Sequence, residues 1–161
     1  MATELSSQFS DEVMERINGV LMEYRKEHKV VNDTGDIEKF ALPYRYAVIQ
    51  GLFSGETQEG CFFGWLRKKS CKRVTRRACD RGVEKLIGDV FGAAYVVGEE
   101  LGKIEDLRDD ERKIKYLSHE QGIRIISMVG EGLEINFDNG QDLARDIWAE
   151  YSRGMAPRFA A

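Results

Sequence analysis

Proline is nearly missing from this chain, with two in 161 residues, and histidine is equally sparse at two. With so few breakers, long uninterrupted helices are open to it. His28 and His119 stand far apart in sequence, and neither has a local partner for general acid–base work. Cysteine is scarce as well. Cys61, Cys71 and Cys79 form no CxxC pair and have no histidine nearby, which argues against structural zinc. Their odd number argues against a disulfide framework and suits a reducing compartment. No apolar run approaches the roughly 20 residues that cross a bilayer. The opening Met1-Ala2-Thr3-Glu4-Leu5-Ser6-Ser7 is polar rather than signal-like. The expectation is a cytoplasmic chain with no membrane association. Internal repeats and low-complexity stretches are absent.

What is present is an ordinary globular composition, 42% hydrophobic and 32% charged. That is enough apolar surface to offset the ordering entropy of one domain, or one domain with an appendage. The net charge of −4 is unevenly spread. Residues 67–81 hold eight basic side chains (Arg67, Lys68, Lys69, Lys72, Arg73, Arg76, Arg77 and Arg81) against Asp80 alone. The −4 therefore divides into +7 over that stretch and −11 over the rest. Such an arrangement concentrates any attraction for phosphate at one place and repels nucleic acid elsewhere.

Helical spacing is the dominant pattern. Ser10 can cap a first helix, with Asp11 and Glu12 at its positive end and Phe9 and Met14 at staple positions. Its stripe is Val13, Ile17, Val20, Leu21 and Tyr24, ending near His28. Asn32-Asp33-Thr34-Gly35-Asp36 reads as a loop. Leu42-Pro43 opens a second helix that ends at Ser54-Gly55. A third starts at Thr57-Gln58-Glu59 and is interrupted at Lys68-Lys69-Ser70, where a long fourth begins. Gly82, Gly88, Gly92, Gly98 and Gly102 lie along that fourth helix, at about 1 kcal/mol each against alanine. So many imply close approach by another backbone, within the chain or across a dimer face, or a break near Gly82. A short helix is expected over Asp109–Leu117. Then Ile123–Met128 and Leu133–Phe137, flanking Gly130-Glu131-Gly132, alternate as a β-hairpin. Leu143, Ala144, Ile147, Trp148 and Tyr151 mark a final helix.

The fold expected is mainly α (α+β): a helical core with a C-terminal β-hairpin followed by a helix. Three parts are expected: residues 1–41 as N-terminal helix and linker, 42–102 as the basic helical unit and long helix, and 103–161 as an interaction segment.

Residues 42–87 carry the most specific pattern. Leu42-Pro43 opens a supporting helix, and Gly55 precedes Thr57-Gln58-Glu59. Gly64 is small where two helices would cross, and Ser70 caps a helix with Val74 and Arg76-Arg77. This resembles the helix-turn-helix of region four of bacterial sigma factors and of phage antiterminator regulators of the Q type. The resemblance implies a sequence-specific DNA-binding transcription regulator, phage-encoded and acting with RNA polymerase; a homodimer held by the 103–155 segment is the other assembly expected. Val74, Ala78 and Gly82 would form the buried line. The DNA-facing set would be Lys68, Lys69, Ser70, Lys72, Arg73, Thr75, Arg76, Arg77 and Arg81, with arginine suited to guanine and lysine or serine to phosphates. The alternative is a protein-interaction module or inhibitor that docks this basic face on an acidic partner.

Other motifs carry less. Gly98–Ile104 has the wrong glycine spacing for a phosphate loop, and Ile104 replaces the magnesium-binding hydroxyl. Asn136–Gly140 lacks the spacing of a calcium loop. Glu99-Glu100 and Asp109-Asp110-Glu111 read as solvated faces. No catalytic constellation emerges, so the expectation is a non-enzyme without metal or cofactor.

Overall fold

The computed structural model describes residues 7–30, 40–57, 61–78, 83–103 and 119–155. They form six α-helices: α1 (Ser7–His28), α2 (Ala41–Thr57), α3 (Cys61–Ala78), α4 (Glu84–Gly102), α5 (His119–Gly132) and α6 (Gly140–Glu150). A single π-helical turn, Tyr151–Met155, continues α6. One hydrophobic cluster runs through the fold, from Val13 and Ile17 on α1 to Trp148 and Tyr151 at the end of α6.

The central element is α2. Every residue from Ala47 to Glu56 is buried, so α2 is enclosed on all sides rather than amphipathic. Its closest neighbour is α4, and the two run in the same direction. A Cβ on Gly51 would lie 2.5 Å from the Phe91 carbonyl oxygen and 2.7 Å from Ala94 Cβ. On Gly55 it would overlap the Tyr95 carbonyl, and on Gly98 the Leu52 carbonyl. Two small-residue rows, Gly51/Gly55 and Ala94/Gly98, thus bring the backbones into contact. The glycines of α4 serve intramolecular packing here, and Gly92 leaves room for the Tyr24 hydroxyl of α1. The chain returns between these parallel helices through α3, which lies antiparallel to both. Tyr46 bonds Ser70 at 3.2 Å and Arg67 lies over Phe53 on one side, while Lys72 crosses Gly88 on the other.

The β-hairpin expected over residues 123–137 is absent. Among the described residues there is no strand, and Ile123–Met128 lies inside α5. The alternation there coexists with a helical stripe, Gly122, Ile125, Ile126 and Val129, and all four are buried. Burial against α1 and α6 outweighs the β-preference of the isoleucines. Gly122 is the contact point with α6, because a Cβ there would run into the Trp148 indole. The indole N–H donates to His119 Nδ1 at 3.1 Å. After Gly132 the Gly130 carbonyl accepts from Leu133 N and Ile135 N at 3.1 and 2.8 Å, so the supposed second strand is a helix termination. Glu134 completes it in the left-handed region at φ 57°. The break expected near Gly82 and the helix expected over Asp109–Leu117 lie outside the described residues; α3 and α4 are described as separate helices, up to Ala78 and from Glu84.

Because Gly55 and Gly98 face backbone rather than flexible side chains, Gly55→Ala and Gly98→Ala are each expected to lower stability by at least about 1–3 kcal/mol, read as a fall in the urea midpoint. Gly19 faces open space, so Gly19→Ala is expected to raise stability by up to about 1 kcal/mol. Equal responses at the three positions would contradict the close crossing.

Candidate nucleic-acid interface

The basic stretch does not contain the expected turn. α3 is one continuous helix through Lys68, Lys69 and Ser70. Lysine is a good helix former and no glycine or proline follows Gly64 in this helix, so nothing stops it there. Nor is Gly64 a crossing point: a Cβ there would meet only Tyr95, at 3.9 Å.

The rotation of α3 about its axis decides which cations are available. Its innermost line is Cys71 and Thr75, at 1% and 0% exposure, one residue round from the line through Val74 that the sequence suggested. Thr75 therefore leaves the ligand-facing set. Its hydroxyl donates to the Cys71 carbonyl at 2.8 Å, which removes the cost of burying it. Arg67 turns toward α2, where it donates to Gln50 and covers the Phe53 ring. Ser70 is held by Tyr46.

Lys68 and Lys72 lie on the α4 side, half-buried, with their stems across Gly88. Burial and the neighbouring Lys72 lower the Lys68 pKa, against the opposing pull of Asp89. Asp89 is itself a buried carboxylate. It takes an ion pair from Lys85 at 2.9 Å. Burial and Asp89 together push the Tyr24 phenol above its usual range. Two of the expected contact lysines are thus committed largely to packing and to this inner network.

What faces outward is a narrower arc: Lys69, Arg73, Arg76 and Arg77, with Trp65 and Leu66 at its start. Lys69, Arg73 and Arg77 follow at intervals of four, roughly 6 Å apart on one face. Arg76 is exposed and donates to Glu84 at 2.8 Å. Trp65 is 55% exposed, and the Lys69 ammonium stands 4.9 Å from its ring centroid. Sequence patterning missed Trp65 as a surface group, because an aromatic near a glycine reads as core. Arg81, also in the expected set, lies outside the described residues. Among the described residues no group of three His, Cys, Asp or Glu side chains is placed to hold a metal ion, and no helix is long and apolar enough to cross a membrane.

Comparison with protein-family models, with curated proteins and with solved structures finds no match to this chain in any of the three.

The register of α3 is testable at Cys71, whose thiol is pushed up to about 12 from 9.0 by burial. The folded state holds the protonated thiol, so this contribution to stability is complete below about pH 9 and is lost as pH rises toward about 12. Iodoacetamide at pH 8 is expected to modify Cys71 only at the rate of unfolding, as read by peptide mapping. Modification at the rate of a free thiol would show that this face of α3 is open.

Proposed function

We propose that this chain binds DNA through the outer arc of α3 and acts as a transcription regulator. The observation that carries the reading is the row Lys69, Arg73 and Arg77, exposed on one face of a straight helix and joined by Arg76, on a chain whose remainder is strongly acidic. A helix of 18 residues is about 27 Å long at 1.5 Å per residue, and B-DNA's major groove is wide enough to admit one. Docking is by a single helix laid along its outer face, since α3 has no turn at Lys68. Lys69 and Arg77 are suited to phosphates on either side, and Arg73, central in the arc, to a guanine edge. The acidic body repels DNA from other directions and so orients the encounter. RNA polymerase is the partner that the sigma-like resemblance implies, and a second copy of the chain is the alternative.

A second reading is favoured by Trp65 and Leu66, exposed at 55% and 40% beside Lys69. An aromatic–aliphatic pair next to cations also suits an acidic protein surface. Selection from random oligonucleotides separates the two: DNA recognition enriches one sequence, whereas a protein-docking face enriches none.

With the selected site, Lys69→Ala and Arg77→Ala are each expected to weaken binding to all sequences and to reduce the salt slope by about 1. Arg73→Ala is expected to cost about 1–3 kcal/mol and to relax preference at one base position. Thr75→Val should leave the binding isotherm unchanged, because its hydroxyl is spent inside the helix. Equal losses at Thr75 and Arg73 would overturn the reading.

A further inference from the structure

On the flank of α3 away from α2, a groove of about 600 Å³ opens between α1, α3 and α4. Tyr24, Phe91 and Tyr95 line it, with Trp65 as a wall. Tyr24 is held there from two sides. Its hydroxyl sits over Gly92, and His28 stacks on its ring at 4.0 Å. The rims have an acidic excess: Glu23 and Glu27 one turn apart on α1, with Glu99 and Glu100 on α4, against Lys68 and Lys103. Glu100 is paired with Arg16 at 2.7 Å and with Lys103 at 3.8 Å, and the Lys68 stem lies against Gly88. Glu23, Glu27 and Glu99 have no ion-pair partner among the described residues.

We infer that this groove receives a basic, amphipathic segment of a partner protein, with an apolar residue on the aromatic floor and flanking arginine or lysine side chains on the carboxylate rims. Three features point to that occupant. Unpaired carboxylates on both sides of an apolar trough complement cations that flank an apolar stripe. Aromatic faces hold guanidinium and ammonium groups, as Trp65 already does for Lys69. The lining along α4 runs from Phe91 to Lys103, about 18 Å at 1.5 Å per residue, which is the length of a peptide segment rather than of a small organic cation. Phosphate is disfavoured by the acidic excess of these rims; the site shares Trp65 with the outer arc of α3 but does not rest on its reading. The two faces would let one small chain bring an anionic and a cationic partner together.

The test uses the full chain and a blocked peptide of about twelve residues, with leucines at helical spacing flanked by arginines. Its control is the same peptide with glutamate at each arginine. The chain has two tryptophans, and Trp148 is buried at 4%, so iodide quenching reports on Trp65. The arginine peptide is expected to shift Trp65 emission to the blue and to protect it from iodide, and the glutamate peptide to do neither. Glu23→Gln, Glu27→Gln and Glu99→Gln combined should weaken the arginine peptide at least about tenfold, about 1.4 kcal/mol, with the thermal melt unchanged. Arg73→Ala should leave peptide binding as it was. Equal binding of both peptides, or indifference to the three glutamine substitutions, would overturn the inference. So would self-association in sedimentation that protects Trp65 without peptide. None of these readouts involves DNA, so failure here and failure of the DNA-binding reading are separately visible.

Discussion

The arrangement depends on one contact, the backbone-to-backbone approach of α2 and α4. Helices usually stand 8–10 Å apart because side chains separate them. Here Gly51 and Gly55 meet Ala94 and Gly98 with almost nothing between. Dispersion attraction gains from such closeness, and the polar backbones lie in a dry interface. The parallel sense of the pair then obliges the intervening chain to run back the other way. That return is α3, held against both helices and left with one face outward.

Charge follows from that placement. The cations of α3 are divided by rotation into an inner group, tied to Gln50, Gly88 and the Asp89 network, and an outer group facing solvent. Seven basic residues on α3 therefore reduce to a row of three with Arg76 beside it. At physiological ionic strength the Debye length is about 8 Å, so attraction beyond that distance is largely screened and direct contact is left to the outer few. The aromatic groove begins where the outer arc ends, and Trp65 belongs to both. The cationic arc of α3 thus adjoins the carboxylate rims of α1 and α4 at Trp65.

Much of the helical framework was legible in the sequence. Four of the five stripe residues of α1, Val13, Ile17, Leu21 and Tyr24, are in the core, and Val20 is half-buried at its edge. Pro43 stands in the first turn of α2, where its missing N–H costs nothing. Two features were illegible for different reasons. Ile123–Met128 satisfies periods of two and of 3.6 over so short a window, and only the neighbours that bury Gly122 and Val129 decide between them. The buried line of α3 was misplaced by one residue because Cys71 and Thr75 are weakly hydrophobic, whereas Val74 attracts attention and is only half-buried. One residue is 100° of helix, enough to turn Thr75 from the surface to the core. The groove left no local signature, since its walls come from α1, α3 and α4 and its carboxylates look like solvated helix faces.

At the far end of the fold, the Tyr151 hydroxyl donates to Glu56 at 2.7 Å, with both side chains buried and 95 positions apart in sequence. A hydrogen bond to an ionised acceptor is shorter and stronger than a neutral one, so this contact ties the last described turn of the chain to the end of its central helix. A chain cut before Tyr151 loses that tie together with the ring that covers the end of α2. Closure of the fold thus joins its final turn to its innermost helix, across nearly the whole length of the sequence.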